Sequence, residues 1–363
     1  MQDNLPIRRL GRRTVLKLLG GMGALGTGAL FGLSPALGNT YYDGPASDHF
    51  DGRRFFNPDG PNTKPFRDFL RWQLGPRAEA WPSEFPSPFR DRPPPRFNST
   101  STRLSFIGHA SYLIQIGGLN ILFDPVYADR AGPLGLVGPR RVNAPGIAFH
   151  DLPKIDVLLV THNHYDHLDM STIGRIWQRD RPIIITALGN DVIMRNGVDG
   201  LAATGIDWWQ TVDLENGVRV NAVPTQHWSA RGVNARMHAL WASFVIEGPQ
   251  HTLYMVGDSG FGAGATFKSI AKRHARIDLA ALPIGAYEPR WFMGDQHMNP
   301  DDAVQSLALC GAARAVGHHW GTFRLTNEGI EAPRNDLARA CDAAKVSPDR
   351  FKALRPGEVV TLG

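Results

Sequence analysis

THNHYDHLD, residues 161–169, places three histidines and two aspartates directly after the apolar run DVLLV. Histidine titrates near neutral pH, and such a group of polar side chains is costly to bury unless something compensates it. In an extended segment alternate side chains share one face, so His162 and His164 can approach one ion. Asp166 and His167 follow after a turn and can reach a second position nearby. The segment therefore predicts two metal positions at the end of one strand, and solvated loop histidines are the simpler alternative.

The charge of the chain argues against one class of partner. Its 363 residues are 42% hydrophobic and 20% charged, as in an ordinary globular protein, and carry a formal net charge of +5. Residues 1–38 hold five basic side chains and one acidic side chain, or +4 of that total, so residues 39–363 carry about +1. That is too little for an electrostatic footprint on a phosphate backbone, and no nucleic-acid partner is expected.

The first 38 residues are typical of a targeting signal. GRRTVLKLLGG is a twin-arginine pattern, and a Gly- and Ala-rich apolar stretch with small residues at its end follows it. An uncleaved membrane anchor and a structured first helix are the alternatives, but the stretch is short for a spanning helix and rich in glycine. Residues 1–38 are therefore predicted to be a twin-arginine signal peptide, and the protein is predicted to be periplasmic or secreted from a bacterium.

The rest of the chain divides into an arm and a main domain. Residues 39–98 are proline-rich, with one amphipathic stretch, PFRDFLRWQL at 65–74, and are predicted to pack as an arm on residues 99–363. In the main domain, strand-like and helix-like segments alternate in two halves, which predicts an α/β fold of two sheets packed face to face between helices. Cys310 and Cys341 fall in helix-like segments, and a disulfide or two separate buried thiols remain alternatives.

HNHYDH, within the first stretch quoted, resembles the HxHxDH signature of the metallo-β-lactamase fold superfamily. Members of that superfamily are four-layer αββα sandwiches that bind one or two zinc ions, so the resemblance implies this fold and a metal-dependent hydrolase. Further ligand motifs of the superfamily match QHW, GDSG and HWGT later in the chain. The resemblance implies two zinc ions, with His162, His164 and His227 on the first, Asp166, His167 and His319 on the second, and Asp258 bridging both.

Longer segments resemble one branch of that superfamily, the N-acylphosphatidylethanolamine-hydrolysing phospholipases D. These segments include LPKIDVLLVTHNHYDHLD, LPIGAYEPRWFMGDQHMNPDDAV and HHWGTFRL, and the resemblance covers about residues 55–333. It implies a zinc-dependent phosphodiesterase of phospholipase D type that releases an N-acylethanolamine and leaves phosphatidic acid, with a hydroxide between the ions as nucleophile. A phospholipid substrate implies transient contact with a membrane surface, driven by apolar side chains because the net charge is small. The resemblance also suggests a homodimer.

Two other functional classes remain as alternatives, because one scaffold of this kind carries many chemistries. The first is a hydrolase of another bond, such as a lactonase or a β-lactamase-like enzyme. The second is a non-catalytic periplasmic zinc- or lipid-binding protein. The complete set of seven ligand positions argues against the second, since an idle site would be expected to have lost a ligand.

Several residues beside the ligands complete the predicted site. Asp124, in FDP, is predicted to orient a histidine ligand, although an aspartate before proline also forms turns. By resemblance, Gln296 and His297 lie near the scissile phosphate, where His297 protonates the leaving alkoxide or binds a phosphate oxygen. Tyr287 is a predicted substrate contact, and His318 is predicted to be structural or to contact a ligand. The residues predicted to act in catalysis are Asp166, Asp258 and His297.

Overall fold

The computed structural model describes residues 39–60, 64–76, 79–97, 100–232 and 235–363. The predicted signal peptide, residues 1–38, lies outside these ranges. Of the helices in the described part of the chain, none is long and apolar enough to cross a bilayer.

The first sheet has seven strands within the described ranges, in the order β14-β1-β2-β3-β4-β5-β6. Their bounds are β1 Thr102–Gly108, β2 Ser111–Ile116, β3 Leu119–Phe123, β4 Val157–Val160, β5 Ile183–Ala187, β6 Thr204–Ile206 and β14 Val359–Leu362. The strands from β14 to β3 are antiparallel, whereas β3 to β6 are parallel. The central parallel strands read as apolar runs such as VLLV because both of their faces are covered.

The second sheet repeats this plan, again with seven strands in the described ranges, in the order β13-β12-β11-β10-β9-β8-β7. Their bounds are β7 Thr211–Asp213, β8 Arg219–Val223, β9 Ser243–Glu247, β10 Thr252–Met255, β11 Ile277–Pro283, β12 Ala312–His318 and β13 Phe351–Ala353. The strands from β7 to β10 are antiparallel and those from β10 to β13 parallel. Each half of the domain therefore contributes one mixed sheet.

The α-helices in the described ranges lie outside the two sheets, and α1 belongs to the arm. Their bounds are α1 Phe66–Leu74, α2 Met170–Asp180, α3 Asn190–Gly197, α4 Ala265–Arg273, α5 Arg290–Met293, α6 Pro300–Leu309 and α7 Ala332–Ala343. Two of them begin with strong caps: Asp169 accepts from backbone N–H groups of α2, and Asn299 forms a capping box with Asp302 at the start of α6. Both caps fix helix ends that border the predicted site.

Three buried clusters separate the layers. Between the sheets, side chains such as Phe106 and Ile114 from the first pack with Phe244 and Met255 from the second. Ile173 of α2 belongs to a cluster outside the first sheet, and α4, α6 and α7 cover the second sheet. The order helix, sheet, sheet, helix confirms the predicted four-layer αββα sandwich, which buries apolar faces on both sides of each sheet.

The short strands at the sheet edges were not predicted. β6, β7 and β13 have three residues each and β14 has four, too short for a hydrophobic alternation to emerge from the sequence. Cys310 and Cys341 are free thiols buried in the cluster between the second sheet and its helices. Burial raises the pKa of the Cys310 thiol to about 11, which leaves it protonated and unreactive.

The arm lies against the sandwich through apolar and polar contacts. Phe50 and Phe55 are buried in the cluster between the sheets, and Phe55 N–H donates to the Met237 carbonyl at 2.8 Å. Asn57 Nδ2 donates to the backbone carbonyl of His227 at 2.9 Å. The arm therefore contributes to the core and touches the segment that carries a predicted metal ligand.

Candidate metal centre

All the predicted ligands lie just beyond the ends of strands. The segment that contains His162, His164, Asp166 and His167 follows β4 of the first sheet, and the other three ligands follow β8, β10 and β12 of the second. Ligand atoms from both sheets come together in groups whose members lie within 4.8 Å of one another. The centre therefore lies at one end of the sandwich, between the two sheets.

The first position combines three imidazoles and one carboxylate. His164 Nδ1 lies 2.9 Å from His162 Nε2 and 3.2 Å from His227 Nε2. Asp258 Oδ2 lies 3.8 Å from His162 Nε2 and 3.5 Å from His227 Nε2. This is the ligand set predicted for one ion, with Asp258 as its fourth member.

The second position shares Asp258 with the first. Asp258 Oδ2 lies 3.2 Å from His167 Nε2, and Asp258 Oδ1 lies 3.0 Å from His319 Nε2. Asp166 Oδ2 lies 3.7 Å from His167 Nε2 and 3.4 Å from His319 Nε2. One carboxylate therefore faces both groups, as a bridging ligand must.

The donor atoms fit metal ions better than hydrogen bonds to one another. His167 Nε2, His319 Nε2 and Asp258 Oδ1 are buried and have no hydrogen-bond partner among the described residues. Atoms this close that are not aligned for a hydrogen bond point toward a shared centre. Ligands at about 2.0–2.1 Å from a tetrahedral ion lie roughly 3.3 Å apart, close to these separations. Mixed imidazole and carboxylate donors suit a transition-metal ion rather than magnesium.

Buried side chains behind the ligands hold their rings in place. Asp124 Oδ2 accepts from His167 Nδ1 at 2.7 Å and from Thr161 Oγ1 at 2.7 Å, and Asp124 is itself fully buried. Thr161 Oγ1 also lies 2.9 Å from His162 Nδ1. The Gln296 carbonyl accepts from His227 Nδ1 at 3.0 Å. These contacts direct the opposite ring nitrogens of three histidines toward the metal positions.

The electrostatics differ between the two positions. Burial lowers the pKa of His164 to about 4, and burial likewise holds the pKa of His162 and His227 well below the usual value. Burial also acts to lower the pKa of His319, but Asp258 and Asp166 raise it to about 9. The three imidazoles of the first position are therefore neutral and can bind an ion as they stand, whereas His319 at the second position must first lose a proton.

A pocket of about 580 Å³ opens over the centre. Its floor includes His164, Asp166, Asp258 and His297, and its walls include six aromatic side chains. Phe292 stacks on Trp72 of the arm with ring centroids 5.1 Å apart. The walls also include Phe66 and Phe69 of α1, Trp228, Leu325, and the two cations Lys64 and Arg236.

Gln296 and His297 both line this pocket. The His297 ring lies 5.2 Å from the His227 ring and 5.5 Å from the His319 ring, between centroids. Arg290 fixes the segment, because its Nη1 donates to the His297 carbonyl at 2.8 Å and its Nη2 to Asp302 at 2.7 Å. Burial lowers the pKa of His297 to about 4, so its ring is neutral at pH 7.

Two residues predicted for the site, Tyr287 and His318, are not part of the pocket lining. Tyr287 requires a correction: it is buried, its hydroxyl donates to Asp336 of α7 at 2.5 Å, and it does not line the pocket. A buried phenol needs such a partner, and α7 supplies it. His318 is fully buried with its ring 5.6 Å from that of Tyr112, and neither nitrogen has a hydrogen-bond partner among the described residues. Of its two predicted roles, these surroundings favour the structural one.

Sequence reasoning missed two residues of the site. His109, in the turn after β1, is fully buried and its Nε2 lies 2.9 Å from Asp166 Oδ2. Arg231 donates from Nη1 to the carbonyls of Asn163 and Leu168, at 3.1 and 2.8 Å, and so ties down the ligand loop. The only sequence signal for His109 was a Gly–His pair at the end of an apolar strand, and for Arg231 there was none.

Comparisons with known proteins agree with this fold and with a metal-dependent hydrolase family. Residues 119–320 match the family model described as the β-lactamase superfamily domain. N-acyl-phosphatidylethanolamine-hydrolyzing phospholipase D 1 of Caenorhabditis elegans is 37% identical over 265 residues, or 70% of this chain and 74% of that protein. An uncharacterized protein of Mycobacterium tuberculosis is 32% identical over 357 residues, or 92% of this chain and 93% of its own.

Among solved structures, Igni18, a metallo hydrolase from the archaeon Ignicoccus hospitalis, superposes with a TM-score of 0.53 at 20% identity. The match covers 73% of this chain and 99% of Igni18, and at that identity it supports the fold. The sequence matches extend the likeness to the ligand-bearing segments, all of which lie between residues 119 and 320. The chain therefore belongs to the β-lactamase superfamily, as a metal-dependent hydrolase homologous to N-acyl-phosphatidylethanolamine-hydrolyzing phospholipase D.

Proposed function

We propose that the protein is a zinc-dependent phosphodiesterase of phospholipase D type. Its substrate would be N-acylphosphatidylethanolamine or a related phospholipid, and its products an N-acylethanolamine and phosphatidic acid. Two observations support zinc in particular: the five imidazoles and two carboxylates of the two positions, and spacings that suit bonds of about 2.0–2.1 Å. The relative from Caenorhabditis elegans supports the reaction class, since it is named for this hydrolysis.

The observation that carries the choice of a lipid is the wall of the pocket. Phe66, Phe69, Trp72 and Phe292 stand beside the metal ligands and offer apolar surface where a substrate must enter. Such a wall removes acyl chains from water, at about 25 cal/mol for each Å² buried. A lactone or a β-lactam of small size would leave most of this surface without a partner. The pocket therefore favours a long-chain lipid.

The roles of the side chains follow from their positions. Zinc ions held by the seven ligands would supply Lewis acidity and an activated water at neutral pH. His297 is neutral at pH 7 because its pKa is lowered to about 4, so its N–H can donate to a phosphate oxygen but is a poor source of a proton. Of the two roles expected for His297, phosphate binding is the one that its surroundings favour. Gln296 is held beside it and can contact the same group.

The exposed apolar side chains around the pocket suggest how a lipid in a bilayer is reached. Phe66 and Leu74 of α1 are 69% and 85% exposed, and Leu134 and Leu136, which closely follow Ala131 of the pocket lining, are 89% and 72% exposed. We propose that these side chains enter the interface of a membrane while the pocket receives a single lipid. If the protein is exported as its first residues suggest, this would be the outer face of a bacterial inner membrane.

The test is a product assay with purified, zinc-loaded protein. Four substrates are offered: N-acylphosphatidylethanolamine, an aryl phosphodiester, a lactone and a β-lactam. We expect release of N-acylethanolamine by the wild type and its loss in Asp166→Asn and His319→Ala. Turnover restricted to the lactone or the β-lactam would overturn the proposal in favour of another hydrolase, and lipid binding without turnover of any substrate would overturn it in favour of a binding protein.

A further inference from the structure

His109 stands at a sharp turn beside the metal centre but outside the predicted ligand set. It follows β1 directly, with φ of +57°, and the preceding Gly108 has φ of +137°. The second value lies in a region that glycine reaches and other residues rarely do, so this turn depends on Gly108. Left-handed backbone at a non-glycine residue such as His109 is uncommon and persists where surrounding contacts enforce it.

The contacts that enforce this turn are all with the site. The His109 N–H donates to Thr322 Oγ1 at 3.1 Å, and the His109 carbonyl accepts from the His319 N–H at 2.7 Å. The His109 ring packs 4.1 Å from the ring of His319 and 5.2 Å from that of Phe323, between centroids. Main chain and side chain of His109 are thus both locked against the segment that carries His319.

The His109 side chain reaches a different ligand, Asp166. Its Nε2 lies 2.9 Å from Asp166 Oδ2 with the geometry of a hydrogen bond. His319 Nε2 lies 3.4 Å from the same oxygen and has no hydrogen-bond partner among the described residues. His109 therefore makes a hydrogen bond to the carboxylate itself. His319 Nε2 instead points, like the carboxylate, toward the second metal position.

From this geometry we propose that His109 is a positioning residue: its Nε2–H holds the Asp166 carboxylate in the orientation that binds the second ion. A carboxylate on a loop has two rotatable bonds, and a donor from a rigid turn removes that freedom before the ion arrives. His109 also braces the backbone of His319, so one residue fixes two of the three ligands particular to this position. The inference rests on the metal centre and is independent of which substrate is hydrolysed.

The test compares three variants of the full chain. His109→Ala removes the donor, whereas His109→Gln replaces the ring by an amide whose N–H can reach a similar place. His251→Ala is the matched control: His251 is buried and lies 3.1 Å from Thr102 Oγ1, at the opposite end of β1 from His109. Each protein is stripped with a chelator and titrated with Zn²⁺ against a chromophoric chelator, and with Co²⁺ while the visible absorption is followed.

We expect His109→Ala to bind one ion like the wild type and the second about 10- to 100-fold more weakly, the usual cost of losing a partner of a metal ligand. The Co²⁺ absorption of the second site should weaken in parallel. His109→Gln should recover most of the affinity, and His251→Ala should keep both affinities although its melting temperature falls. If His109→Ala does not fold, His109→Leu, which fills the space without donating, takes its place.

Wild-type affinity for both ions in His109→Ala would overturn the proposal. So would an equal loss in His109→Gln and His109→Ala when both melt like the control. Because the titrations contain no lipid, they do not depend on the proposed phospholipase activity. Failure of the lipid assay alongside the expected titrations would reject that activity alone.

Discussion

The metal centre and the wall of the pocket above it are built in opposite ways. The ligand side chains are buried, with His162 at 1% and His167 at 0% exposure, and several are held by a further buried partner. Helix α1, which forms part of the wall, buries none of its residues, and its outermost leucine, Leu74, is 85% exposed. The difference indicates that the chemistry is fixed by the core of the sandwich, whereas part of the pocket wall above it is formed by a surface segment of the arm. Substitutions in the two regions should therefore have different signatures.

The largest effect is expected at the bridging carboxylate. Asp258→Asn removes the negative charge and one ligand oxygen of the carboxylate that both positions share, so both ions should bind weakly and turnover should fall by on the order of 10²- to 10³-fold, as when a preorganised electrostatic group is lost. Metal content by elemental analysis and the rate with an aryl phosphodiester measure this. Asp301→Asn, on the exposed face of α6, is the control and should change neither. A fully metal-loaded and active Asp258→Asn variant would contradict the claim that the buried core fixes the chemistry.

A smaller effect is expected at Asp124, which contacts a predicted ligand rather than an ion. Asp124→Asn keeps the size of the side chain but weakens its hold on His167, so metal affinity or activity should fall by about 10- to 100-fold. Zinc titration against a competing chelator gives the affinity.

Asp180→Asn is the matched control for Asp124→Asn. Asp180 Oδ2 accepts from the Ile155 N–H at 2.9 Å, at the end of α2 opposite the ligand loop, so its loss should lower the melting temperature only. Equal zinc affinities for the two variants would contradict an orienting role for Asp124.

Substitutions on α1 should weaken binding to membranes without changing the chemistry at the metal centre. Leu70→Ser with Leu74→Ser removes two exposed side chains of α1 that do not line the pocket. A leucine that leaves water contributes about 1.5 kcal/mol or more, so partial insertion of two predicts vesicle binding weaker by on the order of 10-fold. Turnover of a soluble aryl phosphodiester should remain unchanged. Flotation with neutral vesicles measures the binding, which should barely respond to added salt.

The control for the double substitution in α1 is a substitution at an exposed apolar residue elsewhere on the surface. Ile183→Ser alters a side chain that is 53% exposed at the start of β5 and leaves α1 intact. It should bind vesicles like the wild type. An equal loss in Ile183→Ser, or a steep response of the wild type to salt, would show that α1 is not the docking element.

The smallest effect concerns how the arm is attached. Burial acts to lower the pKa of His49, but its hydrogen bonds to Asp207 and Asp48 raise it overall above the usual value. A raised pKa in the folded state means stability that is present below the unfolded pKa of about 6.5 and lost as pH rises through the folded pKa. The melting temperature of His49→Gln should therefore differ from wild type more at pH 5.5 than at pH 9. A difference independent of pH would assign the contact to the stacking of His49 on Trp208.

How much could be predicted from the sequence differs between the metal centre and the wall of the pocket, for a physical reason. Ligands at strand ends were predictable because HNHYDH combines rare donor types at a spacing that one strand end can direct to one place. His109 was not, since a single histidine carries no spacing and its partner Asp166 is 57 residues away. Tyr287 was misplaced because an aromatic beside polar residues fits a core equally well. The amphipathic pattern of residues 65–74 predicted helix α1, but its place over the pocket depends on tertiary contacts with α5.

Strands β13 and β14 have a consequence for the order in which the molecule is assembled. β13 pairs with β12 in the second sheet and β14 with β1 in the first, so residues 351–362 close an edge of both sheets. The loop between them touches each sheet as well, through Leu354 N–H to the Gly317 carbonyl and Gly357 N–H to the Phe106 carbonyl. A ribosome delivers all seven ligands before it delivers this closing segment. Ion capture in the finished geometry must therefore wait until residues 351–362 have left the exit tunnel and paired with both sheets.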